Sequence, residues 1–319
     1  ERRNEVIGKL KQEVNDISMS RATLAWGIPL PWDRSQTTYV WVDALVNYLT
    51  AVGYPQDSAR LDHWWPADLH LMAKDILWFH AVIWPALLLA AGLKLPKKIF
   101  AHGFFTVNGQ KMSKSLGNVV RPGELIAQYG VDGTRYLLLS AFPFGADGDF
   151  TADTMKTGYN AALANDLGNL VSRSFTMVEK YCFGRVPAGD GRDLVQAVLT
   201  ELQPMDLHID HLQFHQALAT LLLAVDHVNR FIEEKSPWKL IKTSPAETEE
   251  VLHQVLLCVK LLAYYLFAFM PDTAQAIWTR LGETDDGAAS AGRFFLDPTT
   301  LDLKPGQQIQ RGEPLFPRK

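Results

Sequence analysis

The stretch GQKMSKSLGN, Gly109–Asn118, sets two lysines and two serines between a pair of glycines. Lysine offers a compact ammonium on a flexible stem, serine a rotatable hydroxyl, and glycine a backbone that turns tightly. Together they suit an oligophosphate anion, with Lys111 and Lys114 supplying charge and Ser113 and Ser115 hydrogen bonds. The order differs from the G-x-x-x-x-G-K-[ST] phosphate loop, because here the lysines precede the second glycine. A solvated basic turn is the competing reading of the same residues.

Other side chains recur at spacings that could do chemistry. Ile76, His80 and Trp84 stand at i, i+4 and i+8, which on one helix gives one face. By spacing alone such a stripe reads as an ordinary core, with a ligand pocket as the alternative. Asp43, Asp75 and His102 each follow a strand-like run, YVWV, HLMAK and KIFA. In an α/β fold, sites gather at the carboxyl ends of strands, so these three are expected near one edge. For Asp75, capping the start of a helix is the alternative role.

These residues need elements to position them. From about Tyr39 to Thr106 short strand-like runs alternate with helical stretches, the signature of α/β units on a parallel sheet. Beyond Thr151, segments such as NAALANDLGNLVSRSFTMVEKY and VLHQVLLCVKLLAYYLFAFM repeat apolar residues every three and four positions, which predicts an antiparallel helical bundle. Ser236 is expected to cap a helix opened by Pro237, and Pro271 to follow the last apolar helix. The tail from Glu283, rich in Gly, Pro and Asp, is expected to run over the surface. The predicted class is α/β followed by all-α, divided as 1–106, a loop-bearing connector at 107–150, a helical domain at 151–282 and an extended tail at 283–319.

Composition narrows the function classes. At 319 residues, 47% hydrophobic and 21% charged, the chain has the makeup of a soluble globular protein with room for at least two cores. A net charge of −4 excludes coating nucleic acid by charge alone, so such a partner would need local patches and shape. Cys182 and Cys258, far apart in sequence, build neither a disulfide framework nor a zinc knuckle and are expected in the core. The uncharged run Ile76–Leu93 is long enough to weigh as a membrane span. His80 and Pro85 interrupt it and it stands alone, so a buried helix is the expectation. The opening RRNEVIGKLKQ reads as an element already under way.

KMSKS, intact at Lys111 to Ser115, is the second signature of class I aminoacyl-tRNA synthetases. With SR…WGIPLPWD, YVWVDALVNYL, WWPADLHLMAKDILWFHAVIWPALLLAAG, HGFFTVNGQKMSKSLGNVV, DGTRYLLL, NDLGNLVSR, SPWKL and LFPR in order, the chain resembles the methionyl-tRNA synthetases of bacterial and organellar type over essentially its whole length. The resemblance implies the second half of a Rossmann-like catalytic domain followed by an α-helical anticodon-binding bundle. It implies ATP-dependent activation of methionine to methionyl-adenylate and transfer to tRNA(Met). Lys111 and Lys114 would be catalytic, and ATP would meet Lys111, Met112, Ser113, Lys114, Ser115, Asp75, His102 and Gly103. Methionine would meet Trp41, Ala44, Tyr48, Asp75, Ile76, His80 and Trp84, a largely aromatic set suited to a polarizable thioether. Asn169 and Arg173, at i and i+4, and Trp238, after Pro237, would read the anticodon, since an amide, a guanidinium and an indole suit unpaired bases by edge hydrogen bonds and stacking. A surface polar pair and a half-buried tryptophan are the plain alternative.

The resemblance further implies ATP as its Mg2+ complex, no metal site in this chain, and zinc only in a portion upstream. The implied partners are L-methionine, ATP and tRNA(Met), with no membrane, in the cytoplasm or alternatively a mitochondrion or plastid. DALVNY where some branches read DAPIGY, and Ala73-Lys74-Asp75 where many read GKD, resemble the short bacterial branch. The family's HIGH-type motif is not among the nine histidines, so the amino-terminal half of the catalytic domain is expected to precede Glu1. A non-catalytic tRNA-binding remnant is the alternative function; the intact loop with its VNGQ and LGN flanks favours the enzyme.

Overall fold

The computed structural model describes residues 2–12, 16–24, 26–113, 115, 117–283 and 297–319. They form two compact units, Glu1–Phe104 and Phe105–Lys319.

In the first unit, helix α1 (Arg2–Leu10) is followed by a short antiparallel pair, β1 (Ser20–Arg21) and β2 (Thr37–Thr38). Helix α2 (Val40–Thr50) starts at once. The run YVWV is therefore not a strand, as its β-formers predict, but the first turn of α2. Helical spacing lets Leu45 and Leu49 enter the core from one face, and that burial overrides local β-propensity. Asp43 accordingly lies in the first helical turn, where its charge favours the helix dipole, and not at a strand end.

Helix α3 (Ser58–Trp64) is capped by Asp57, which accepts from the Arg60 amide at 3.0 Å. Strands β3 (His70–Ala73) and β4 (Ile99–His102) run parallel, in register from His70↔Ile99 to Ala73↔His102, as the α/β pattern predicts. Between them lie a 3-10 turn (Lys74–Ile76), a π-helical turn (Phe79–Ile83) and helix α4 (Trp84–Ala90). The apolar run is thus a continuous helical stretch that changes type along its length, over a core of Leu45, Leu49, Trp65, Ile83, Trp84 and Leu88. Among the described residues no helix is long and apolar enough to cross a membrane.

The second unit opens with a hairpin of β5 (Phe105–Val107) and β6 (Gln110–Lys111). Its two-residue turn, Asn108-Gly109, has φ of 52° and 71°, the left-handed pair of a type I′ turn, which is why Asn-Gly serves there. Strand β7 (Gly148–Asp149) pairs parallel with β5. Helices follow: α5 (Pro122–Ser140), α6 (Ala152–Gly158), a π-helical stretch (Tyr159–Leu167), α7 (Gly168–Tyr181), α8 (Asp193–Leu202), α9 (Pro204–Asp210), α10 (Phe214–Lys235), α11 (Pro237–Leu240), α12 (Pro245–Leu266) and α13 (Pro271–Arg280). Helix α10 packs on α5, α8, α9 and α12, burying Leu218, Leu221, Val225, Val228 and Ile232 at the spacing that predicts a bundle.

Cys182 and Cys258 are buried free thiols. Burial pushes the Cys182 thiol up to about 11, so it is inert as a nucleophile. Ser236 does not cap the following helix. It adopts φ 46° at the end of α10 and donates its hydroxyl to the Glu233 carbonyl at 2.8 Å. Two helices joined without a linker need a left-handed residue at the join, and Ser236 occupies it. Pro237 does open α11, and Pro271 opens α13. The segment from Asp297 runs along the bundle but engages it more deeply than its polar composition predicts. Leu301, Leu303, Ile309 and Phe316 are buried, and Ile309 donates its amide to the Gly184 carbonyl at 2.9 Å.

Candidate functional site

Helix α2 and the broken helical run after β3 bring a set of rings together in the first unit. The Trp41 ring stacks on Phe79 at 4.6 Å and meets His80 edge-on at 6.3 Å. One helical turn on from Ala44, the Tyr48 hydroxyl lies 2.9 Å from His80 Nε2. His80 Nδ1 donates to the Ile76 carbonyl at 3.0 Å. Ile76, His80 and Trp84 do not ride one regular helix as their spacing suggests, because the π turn intervenes. They gather all the same: Trp84 lies 5.9 Å from Tyr48, and Ile76 fixes His80 through its carbonyl rather than its side chain. Trp84 and His80 are buried, whereas Trp41, Ala44, Tyr48 and Ile76 are partly exposed.

His70 is a residue that sequence reasoning missed. It points inward from β3, and its Nε2 accepts the Trp84 indole N–H at 3.0 Å. An indole nitrogen can only donate, so His70 is neutral with its proton on Nδ1. Burial and the nearby His80 ring push the His70 imidazole down to about 4. The signal in the sequence was the strand HLMA, where alternation buries His70 and Met72 together.

Stability should depend on pH accordingly. The folded state holds His70 near 4, whereas an unfolded chain binds that proton near 6.5, so below 6.5 unfolding takes up a proton. The contribution is complete above 6.5 and is lost as the pH falls toward 4, at up to about 1.4 kcal/mol per pH unit. Urea unfolding read by tryptophan emission should show a steeper loss between these values in the parent than in a His70→Gln variant. Equal slopes would refute the assignment.

At the carboxyl edge of β3 and β4, Ala73 pairs with His102, which puts the exposed Asp75 and the His102-Gly103 pair at the same end of two strands. His102 Nδ1 lies 2.8 Å from the Gly103 carbonyl, and Lys74 lies over the Phe104 ring at 4.9 Å. A separate groove of about 800 Å³ is lined by Arg21, Trp26, Ile28, Tyr39 and Asp43, among others. There the Arg21 guanidinium sits 3.8 Å over Tyr39.

In the second unit, β6 delivers Lys111 to the glycine-flanked loop. Two side chains outside the pentapeptide fasten its surroundings. Asp149 accepts from the Gly109 amide and the Thr106 hydroxyl, each at 2.9 Å, pinning the hairpin turn. Asn118 accepts from the Ser113 amide at 2.8 Å and donates to the Lys111 carbonyl at 3.3 Å. The Ser113 and Ser115 hydroxyls are 2.7 Å apart, and Met112 is partly buried. Lys114 lies outside the described residues.

Helices α7 and α11 bring the third set together. Asn169 and Arg173 share a face of α7 while Leu170, Val171 and Ser174 turn into the core. The Arg173 guanidinium lies 5.8 Å from the Trp238 ring and pairs with Glu233 on α10 at 2.7 Å. Trp238 is half-buried against the bundle core. Asn169 is exposed at the rim of a cavity of about 390 Å³ that also takes in Asn165, Ser172, Phe316 and Arg318. Among the described residues no three His, Cys, Asp or Glu side chains are grouped to hold a metal ion.

Comparison with known proteins gives two family matches. The model for class I (M) tRNA synthetases matches residues 1–175, a span that includes Asn169 and Arg173. The model for the anticodon binding domain of methionyl tRNA ligase matches residues 184–318 and includes Trp238. A methionine–tRNA ligase of Caldanaerobacter subterraneus subsp. tengcongensis is 42% identical over 99% of this chain and 50% of its own length. One from Brucella melitensis is 41% identical over 100% of this chain and 62% of its own. The chain thus spans between half and two thirds of these relatives. A solved Mycobacterium tuberculosis methionyl-tRNA synthetase in complex with methionyl-adenylate superposes with a TM-score of 0.90 at 39% identity, over 99% of this chain and 63% of that one.

Proposed function

The chain belongs to the class I (M) tRNA synthetases, and on that footing we propose that it is part of a methionine–tRNA ligase. In this reading a methionine carboxylate oxygen attacks the α-phosphorus of ATP, supplied as its Mg2+ complex. The bond to the β-phosphate breaks and pyrophosphate leaves. The terminal ribose hydroxyl of tRNA(Met) then attacks the acyl carbon and AMP departs.

Each cluster has a role in that sequence. Lys111 and Lys114 neutralise charge growing on the leaving pyrophosphate, and Met112, Ser113 and Ser115 carry them. Asp75, His102 and Gly103, at a carboxyl strand edge, hold the nucleotide, with Asp75 also reaching the amino acid. Trp41, Ala44, Tyr48, Ile76, His80 and Trp84 enclose the thioether, where ring contacts favour sulfur. Asn169, Arg173 and Trp238 read the anticodon. We assign 1–106 to the catalytic domain, 107–150 to the loop and its connector, and 151–282 to the anticodon domain, with 283–319 as its tail. The reaction then takes place where proteins are made, in the cytoplasm or alternatively in a mitochondrion or plastid.

The observation that carries the reading is one chain holding both an intact KMSKS pentapeptide and an Arg–Trp pair beside an exposed asparagine. The complete gene product should catalyse methionine-dependent exchange of pyrophosphate into ATP without tRNA, and should charge tRNA(Met). Specific tRNA binding with no exchange would make it a non-catalytic tRNA-binding protein instead.

A further inference from the structure

The ring cluster of the first unit contains a histidine to which no role has been given, and several contacts fix it. His70 is 5% exposed, and its backbone is fixed by β3, where its amide donates to the Lys98 carbonyl at 2.9 Å. Its ring lies 4.3 Å from Tyr48, 6.0 Å from Trp65 and 6.3 Å from His80. Its Nε2 takes the only proton that the Trp84 indole can offer. The neighbouring indole of Trp65 is satisfied differently, by the Lys94 carbonyl at 2.8 Å. Backbone therefore orients one tryptophan of the cluster, and a side chain orients the other.

We propose that His70 is a positioning residue for methionine: it fixes the Trp84 ring and removes its N–H from the pocket, so that the thioether meets an aromatic wall with no unspent donor. The inference rests on the reading above that Tyr48, His80 and Trp84 enclose the amino acid. Three observations support the role, and the substitutions below separate it from that of a core histidine. The acceptor must lie at the ring's far nitrogen, because only Nε2 faces the indole. The ring it orients is 1% exposed and cannot borrow water as an alternative partner. And the same His70 ring packs on Tyr48, whose hydroxyl engages His80, so a turn of Trp84 would disturb three proposed pocket residues at once.

Acceptor position predicts a pattern among substitutions. Glutamine can set its carbonyl oxygen near the place of Nε2, asparagine is too short, and phenylalanine keeps the ring but accepts nothing. In the complete enzyme, KM for methionine in pyrophosphate exchange should rise at least about tenfold in H70F and H70N, with kcat within about threefold of the parent. H70Q should stay within about threefold in both. A purely structural role would lower the melting temperature of all three without separating Gln from Asn in KM, and that result would overturn the inference. So would a fall in kcat at constant KM. If H70F does not fold, the Gln and Asn pair decides alone. W84A distinguishes the two layers of the argument. If it leaves KM for methionine unmoved, the pocket reading fails and takes this inference with it; if it raises KM while H70N does not, only the inference fails.

Discussion

Replacing Lys114 by alanine in the complete enzyme is expected to slow pyrophosphate exchange by about 10²- to 10³-fold, or about 2.7–4 kcal/mol of transition-state stabilisation, while tRNA affinity stays within about twofold. When pyrophosphate leaves, negative charge grows on its oxygens, and a cation placed there lowers the barrier more than it strengthens ATP binding. The effect should therefore fall on kcat, with KM for ATP changed less. The loop's surroundings suit this function. The Asn108-Gly109 turn sets the hairpin, Asp149 pins it, and Asn118 holds the backbone at Lys111 and Ser113, so the loop starts from a fixed base. Lys114→Arg keeps the charge but spreads it over a planar fork, and should recover part of the rate and not all of it. Single-turnover adenylate formation beside a filter-binding measurement of tRNA provides the check. Lost tRNA affinity at an unchanged exchange rate would remove Lys114 from the catalytic role.

What the sequence made legible follows from how local each signal was. The hairpin and loop at 110–118 stand out because their residue types lie within one short stretch, and the phosphate role read from them remains a proposal. The helical bundle is legible because α7, α10 and α12 repeat apolar residues at helical spacing over many turns, and each buried face reinforces the same pattern. The YVWV stretch misled because its β-formers were few and the burial of Leu45 and Leu49 decided against them. The run from Ile76 to Leu93 was legible as a buried helix, but its π turn was not, because such a turn leaves no trace in hydrophobic periodicity. Residues that act through others were the hardest to see. His70, Asn118 and Asp149 carry no motif meaning alone, and their roles arise from partners reached through tertiary or turn geometry. Asn118 alone stood within the stretch first noticed, and its amide could have been read as a loop fastener.

Replacing Trp238 by alanine should act on the other partner. Base stacking on an aromatic ring contributes about 1–3 kcal/mol, so kcat/KM for tRNA(Met) should fall by about 5- to 150-fold. Pyrophosphate exchange needs no tRNA and should be unchanged. Trp238 is half-buried against the bundle core, so some loss of melting temperature is expected from packing alone. Trp238→Phe separates the two effects, since it keeps a π-face for the base and most of the packing, and should retain most of the tRNA activity. The Arg173 guanidinium, 5.8 Å from the ring, is attracted to the same π-face that a base would use. Arg173→Ala should therefore lose more than its own edge contacts, and the double variant should lose less than the sum of the two. Additive losses would mean that the two residues act on tRNA independently. A collapse of exchange in Trp238→Ala with tRNA selection intact would move Trp238 out of anticodon recognition altogether. Because Lys114 is expected to change exchange without tRNA affinity, and Trp238 tRNA use without exchange, the two variants assign chemistry and recognition to different residues by opposite readouts.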